Sequence, residues 1–348
     1  MRGLRLHLTP FAPDQSGAVS ALFELGGIVV VADAGGCTGN ICGFDEPRWH
    51  TMRSAVFSAG LRDMDAIMGR DDKLVAGVAS AASVIDARFV AIVGTPVPAV
   101  IGTDMRALCR MSERASGLPT IACDCNGTEL YDAGARKAWL ALFRRFAKEP
   151  QEREPGRVGI LGASPLELSE ASAATLRALV PGGVTYGMGS DLDELVRAAA
   201  SERNLVVSPA ALPAARLLER RFSIPFEVTD PRARPLADQI GEANDVAGKR
   251  VLVVSQQVSA NALRDELLTR GAAGVTCATW FEQVPELAQP QDVRLAEEDD
   301  LAELARSRPF DVLVGDATLF PLVRSSIATL VDVPEFAVSG RLRKDWHA

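Results

Sequence analysis

Several familiar catalytic signatures are missing from this chain of 348 residues. No G-x4-G-K-[ST] run occurs, so ATP is not handled through a phosphate-cradling loop of the chain's own. Neither a G-x-G-x-x-G turn nor a ribose-binding acid follows the first strong strand in register, which argues against a nicotinamide dehydrogenase. Histidine is scarce, with only His7, His50 and His347, and no G-x-S-x-G elbow exists, so a Ser-His-Asp hydrolase has little support. There is no run of about 18 apolar residues, and hence no membrane span is expected. Met1 to Pro13 lacks the charged-then-apolar layout of a signal peptide, and a cytoplasmic location is expected. Lys and Arg number 37 against 45 Asp and Glu, a net charge of −8, which argues against a nucleic-acid partner. Six cysteines are too few for a disulfide scaffold in a chain of this size, and they read as core thiols, metal ligands or redox groups.

What is present is a recurring alternation of short β-branched runs and longer helical stretches. Gly27–Asp33, Arg88–Gly94 and Leu118–Cys123 read as buried parallel strands, with helices over 71–85, 101–116 and 129–148. Lys148–Gly156 is charged and proline-bearing and reads as a linker. The pattern restarts with strands at Arg157–Gly162, Asn204–Ser208 and Ile224–Val228 and helices over 169–179, 192–201 and 210–221. A second break at Asp230–Pro235 precedes strands at Lys249–Ser255, Gly274–Thr279 and Asp311–Gly315. The reading is α/β, with units over 1–150, 151–232 and 233–348 built on parallel sheets. His7 is placed on an N-terminal edge strand and His347 in the tail.

The segment richest in chemistry is Asp33 to Trp49, just past the end of the first strong strand, where open α/β sheets place ligands. Gly35, Gly36, Gly39 and Gly43 give four glycines in nine residues, which lets a backbone approach something bulky. Cys37 and Cys42 are not spaced as in a zinc ribbon, and thiolates on such a loop suit an iron–sulfur cluster. The competing reading is two small residues filling a tight turn. His50 beside this loop is a conceivable proton donor or a plain surface residue. Cys123 and Cys125 read as buried thiols before an Asn126-Gly127 turn, and Cys109 and Cys277 as core.

Four passages in order resemble the nitrogenase component 1 type oxidoreductase family. They are Gly36-Cys37-Thr38-Gly39 followed by Phe44 to Trp49, then Ser58 to Leu74, Thr95 to Asp104, and Asp124 to Thr128 leading into Glu129 to Gly134. Phe336 to Leu342 resembles the close of short members of that family. The resemblance implies three Rossmann-like domains around a central cleft, and electrons arriving from a separate ATP-dependent iron–sulfur reductase through a cluster at a subunit interface. Cys37 matches the first cluster cysteine of the family. The second and third positions fall near Val56–Gly60 and Pro96, where no cysteine stands, and Cys42 is an addition. An eight-iron cluster is therefore disfavoured. Cys277 and His347 are no counterparts of the cofactor ligands, so dinitrogen reduction is not expected.

The resulting expectation is a reductase subunit, homodimeric or paired with a homologue, acting on a small organic or tetrapyrrole-like substrate. Cys37 and Cys42 from each of two subunits would hold a [4Fe–4S] cluster, with Gly36, Gly39 and Gly43 lining it. A rival scheme recruits Cys123 and Cys125 within one chain. A non-catalytic scaffold for a cluster or metallocofactor, or a ligand-binding protein, is the alternative. Asp45, Glu46 and Arg48 are candidate docking groups for the reductase, or else Asp45 and Arg48 pair to shape the loop. The substrate cavity is expected at Thr95 and Pro96, Asn126–Thr128, Gly162–Ser164, Ser255 and Gln256, and Gly315 and Asp316. Asp316 and Asp124 are the candidate proton donors there, with helix capping as the other reading of Asp316.

Overall fold

The computed structural model describes residues 5–343, so His347 lies outside the described residues. Within them are thirteen strands, every strand–strand pairing of which is parallel. The first sheet holds β1 (Ile28–Val31), β2 (Ala55–Ser58), β3 (Val90–Val93) and β4 (Thr120–Cys123), in the order β2-β1-β3-β4. The second holds β5 (Glu154–Leu161), β6 (Gly183–Thr185), β7 (Ser201–Val206) and β8 (Phe226–Val228), in the order β6-β5-β7-β8. The third holds β9 (Arg250–Val254), β10 (Gly274–Thr279), β11 (Val293–Arg294), β12 (Val312–Gly315) and β13 (Thr329–Asp332), in the order β11-β10-β9-β12-β13. Central strands β1, β3, β9 and β12 of the first and third sheets are almost wholly apolar and buried, as strands covered on both faces are.

One buried cluster is continuous across the first two sheets and is centred on the helix Tyr131–Phe146. Trp139, Leu142 and Phe143 of that helix are fully buried, and Phe143 meets Tyr186 edge-on at 5.4 Å between ring centroids. Leu8, Phe11 and Ala12 join the core of the third sheet instead.

The helix Asp14–Leu22 crosses Tyr131–Phe146 at a glycine on each side. A Cβ on Gly17 would lie 1.8 Å from the Tyr131 carbonyl oxygen, and one on Gly134 would lie 1.6 Å from the Asp14 carbonyl oxygen. Both obstacles are backbone, so neither can swing aside. Gly134→Ala is expected to cost about 3 kcal/mol or more, at the upper end of overpacking changes. Urea denaturation measures it, and a midpoint equal to the parent's would show that the two helices slide apart freely.

Several local expectations need correction. His7 sits in irregular chain rather than on an edge strand, and the backbone N–H groups of Leu6, His7 and Leu8 donate to the Glu298 carboxylate. The single helix expected over 101–116 is two, Pro96–Ile101 and Met105–Ser116, because Gly102 turns left-handed at φ 72°. The helix expected over 169–179 is likewise Pro165–Leu168 and Ala174–Leu179, with Ser169 at φ 58° between them. The linker tail forms the start of β5. Asp230–Pro235, which falls between the strands of the second and third sheets, carries a buried charge cluster. Arg232 is 1% exposed and donates to both Asp230 oxygens at 2.9 and 2.6 Å and to Glu170 at 2.9 Å.

Candidate functional site

Asp33 ends the run after β1 and organises the next stretch of chain. Its carboxylate accepts from the Thr38 N–H at 2.8 Å, the Thr38 hydroxyl at 3.0 Å and the Ser58 hydroxyl at 2.6 Å. That bonding, with Gly35 at φ 116°, starts a helical turn over Gly36–Asn40 where the sequence suggested a loop. The turn runs on into a π-helical stretch, Ile41–Asp45, closed by the Glu46 N–H donating to the Ile41 carbonyl at 2.9 Å. Such π insertions are frequent at functional sites. A Cβ on Gly36, Gly39 or Gly43 would meet nothing within 4 Å, so this face of the turn is bare backbone open to an approaching group.

Cys37 and Cys42 both sit half-buried on this turn, reduced, against the core of the first two sheets. Burial, aided by the Asp33 charge, pushes the Cys37 thiol up. Burial, then the charges of Glu46 and Asp33, does the same to Cys42. Both are therefore thiols until something cationic displaces their protons. Cys123 and Cys125 are fully buried and far less acidic, Cys123 being pushed up to about 12 by desolvation. Among the described residues no three His, Cys, Asp or Glu side chains come together as a metal site. The single-chain scheme with Cys123 and Cys125 thus has no support in the geometry. Cys277 is core as expected, and Cys109 is half-buried with its thiol donating to the Thr120 carbonyl.

Glu46 and Arg48 are not surface groups. They are 2% and 0% exposed. Arg48 donates to both Glu46 oxygens at 2.7 and 2.6 Å, to Glu24 at 2.7 Å and to the Ser20 carbonyl at 2.7 Å, with its guanidinium 4.8 Å from the Phe23 ring centroid. Asp45 pairs with Ser16 at 2.6 Å and Asn40 at 2.9 Å, not with Arg48. Docking through Glu46 and Arg48 is withdrawn for that reason. These residues clamp the cysteine turn onto the helix Asp14–Leu22. The sequence carried no sign of that helix, whose nine residues are all buried and show no polar face.

The expected cavity lining is also corrected. Thr95, Gly162, Ala163, Ser164, Gln256 and Asp316 are buried where the strand ends of the sheets pack together. Gln256, for instance, donates to the Val207 carbonyl at 2.9 Å. Asp316 caps the short turn Ala317–Leu319 by accepting from the Thr318 N–H at 2.9 Å, and also accepts from the Glu335 N–H at 2.9 Å and the Ser339 hydroxyl at 2.5 Å. Both its oxygens are engaged, which makes it a cap and not a proton donor. Asp124 is exposed beyond β4, while Asn126 and Gly127 donate backbone N–H groups to Asp14 at 2.9 and 2.8 Å. What remains at the centre is a cavity of about 20 Å³, room for a water, bordered by Asp230, Ser255, Ser259 and Glu335. The larger space is an open groove of about 660 Å³ between the cysteine turn, at Gly43, Phe44 and His50, and the C-terminal segment, at Asp332, Phe336 and Arg341.

Two buried acids at this centre were not singled out in the sequence. Desolvation raises Glu335 to about 7 and Glu167, bonded by the Tyr131 hydroxyl at 3.2 Å, to about 8. Unfolded glutamate titrates near 4.5, so the stability these groups allow is full below that pH and falls as pH rises through 7 and 8. Glu167→Gln, which cannot ionise, is expected to exceed the parent in stability at pH 8.5 by about 3 kcal/mol and to match it at pH 4.5. Thermal melts at the two pH values check this, and a difference independent of pH would refute it.

Residues 16–232, well over half the chain, match the nitrogenase component 1 type oxidoreductase family, and the chain belongs to it. Among curated relatives, the nitrogenase iron-molybdenum cofactor biosynthesis protein NifE of Sinorhizobium fredii is 29% identical over 188 residues, 51% of this chain and 37% of its own. NifE of Klebsiella pneumoniae is 27% identical over 262 residues, 67% of this chain and 54% of its own. The chain thus spans about a third to a half of the length of these relatives. The solved structure of nitrogenase Cp1 at pH 6.5 superposes with a TM-score of 0.69 at 13% identity, covering 96% of this chain and 87% of that one. Cp1 at pH 5 gives 0.61 at 16% identity, covering 88% and 72%. The three-sheet α/β fold expected from the sequence is therefore the family fold. Among the described residues no helix is long and apolar enough to cross a membrane.

Proposed function

We propose that the chain is one half of a two-fold dimer that holds a [4Fe–4S] cluster through Cys37 and Cys42 of each copy. In this reading it accepts electrons from a separate ATP-dependent iron–sulfur reductase and reduces a small molecule, not dinitrogen. The carrying observation is the cysteine turn itself: two reduced thiols on a glycine-bare surface, with no third ligand from the same chain among the described residues. A cubane takes four thiolates, and a two-fold axis doubles the two that one chain offers.

The surroundings fit a subunit contact. Phe57, Met64, Ile67, Met68 and Val100 are 40, 61, 76, 66 and 85% exposed. The turn touches β2, which carries Phe57, and the helix Asp63–Met68 touches the helix Pro96–Ile101. Met64, Ile67 and Met68 share one short helix beside Val100's, and exposed apolar side chains clustered in this way support an interaction surface. The donor set is soft and suits iron, and when bound the cluster supplies one-electron storage. Asp33 fixes the start of the turn, the Glu24–Arg48–Glu46 clamp fixes its end, and both thiols release protons on binding metal. Asp124 or water supplies protons for the reduction.

The second reading is a scaffold that carries a cluster or metallocofactor for transfer, and the biosynthetic names of the curated relatives favour it. Anaerobic reconstitution, iron analysis, spin resonance and sedimentation test the first. Two irons per chain in a dimer, oxidised and reduced repeatedly by a reductase component with ATP, support the electron-transfer reading. Iron that leaves for an acceptor protein without turnover supports the scaffold, and iron bound by a monomer overturns the shared-cluster geometry.

A further inference from the structure

The groove beside the cysteine turn has a charge pattern that selects its ligand. Its volume of about 660 Å³ lies within the usual range of small-molecule sites. One wall begins at Gly43 and Phe44, directly after Cys42, and the other is the segment following β13. Phe44 is 76% exposed and offers its ring to an occupant, while Phe336 on the facing side is buried and serves as apolar wall.

The polar end is the discriminating feature. Arg341 is the one arginine of the groove among the described residues, and each of its three nitrogens meets an acceptor. Its guanidinium donates to both Asp332 oxygens at 2.8 and 2.7 Å, to Asp316 at 3.0 Å and, through Nε, to Ser339 at 3.3 Å. Two carboxylates thus face one cation, and Asp332 is held below the ordinary aspartate range by that guanidinium, so it stays ionised. Glu46 also borders the groove but is matched by Arg48. His50, exposed at the rim, is the remaining basic side chain among the described lining. No unpaired guanidinium or ammonium in that lining is available to receive an anion.

We infer that this groove is the substrate site and that it takes an uncharged or cationic, mainly apolar ring compound, and rejects carboxylates and phosphates. This rests on the electron-transfer reading above for the word substrate, though the binding itself does not. A cationic ring can stack on Phe44 and lie toward Asp332, where cation–π and charge attraction add. A carboxylate there would have to displace Asp332 from Arg341 or sit against net negative charge. Within the tetrapyrrole-like class, polycarboxylate members are disfavoured on the same ground.

The test uses three shape-matched probes on the iron-free full chain: naphthylmethylamine, naphthylmethanol and naphthoate, with binding followed by calorimetry and ligand-observed NMR. The amine and the alcohol are expected to bind about tenfold or more tighter than the carboxylate, a difference of about 1.4 kcal/mol. Phe44→Ala, at a position too exposed to affect folding, should weaken the amine and the alcohol together. Asp332→Asn keeps an acceptor for the Ala317 N–H but removes one of the two carboxylates that hold the guanidinium, and should shift preference toward naphthoate by about tenfold. Naphthoate binding the parent as tightly as the amine, or binding of all three unaltered by both variants, would overturn the assignment. Because iron is absent throughout, failure here leaves the shared-cluster reading standing, and loss of the cluster reading leaves this binding result intact.

Discussion

A Cys37→Ser, Cys42→Ser double variant reconstituted anaerobically is expected to retain less than about a tenth of the parent's iron, because cluster iron is held by thiolates that serine does not replace. Each single variant removes two of the four ligands in the dimer, one from each copy, and should also lose most of the cluster. Folding should be little affected, since the bonds that hold the turn come from Asp33 and Arg48 and not from the half-buried thiols. The control is Cys123→Ala, Cys125→Ala. Those thiols are enclosed in the core and are pushed far from ionisation by desolvation, so their loss should leave iron per chain unchanged. Iron that follows Cys123 and Cys125 would instead establish a site within one chain. Burial raises the Cys37 and Cys42 thiols as well, so iron uptake should rise with pH across the alkaline range as their protons become easier to displace. Uptake independent of pH would show that proton release is not part of binding.

Arg48→Met is expected to cost about 3 to 5 kcal/mol, although it removes no core methyl group and touches no thiol. The guanidinium is fully buried between Glu46 and Glu24, whose side chains are 1% and 7% exposed. Without it, Glu46 is left charged in a dry environment or must take up a proton. The same change releases the Ser20 carbonyl and the Phe23 ring, and so frees the cysteine turn from the helix Asp14–Leu22. Iron uptake should therefore fall along with stability. Adding Glu46→Gln removes the uncompensated charge and should recover part of the loss. Arg48→Lys keeps the charge but not the planar fork that grips Glu46 by two bonds, and should fall between parent and Met. Urea melts of the four proteins decide this. A cost near zero for Arg48→Met would mean that Glu46 reaches water, and would remove the clamp from the account of the site.

The strands most plainly announced by the sequence are nearly apolar throughout, such as Ile28–Val31, Val90–Val93 and Arg250–Val254, because a central parallel strand needs no alternation. The edge strands β2, β6, β11 and β13 were not legible, since they are short and only partly buried and no local pattern separates them from loop. Long amphipathic helices such as Met105–Ser116 were visible for the opposite reason. Helix ends at Gly102 and Ser169 were not, and at Ser169 the left-handed residue is held by a distant hydrogen bond, its hydroxyl accepting from the Phe336 N–H at 2.8 Å.

At the site, residue type and position along the chain placed Cys37 and Cys42 on a glycine-rich turn and Cys123 and Cys125 among buried residues, and the burial of the four in the fold agrees. Thiols beside glycines after a strand end are recognisable locally, as are thiols inside an apolar run. Which charged residues lie on the surface was not a local property. Arg48 and Arg232 look solvated in sequence and are buried in the fold, each because partners from remote segments meet it there. Burial of a charge costs far more than any local propensity contributes, so it is decided only when those partners arrive together. The place of the open groove was settled in the same way: strand ends that local rules assign to a cavity pack shut, and the space opens where the C-terminal segment passes the cysteine turn.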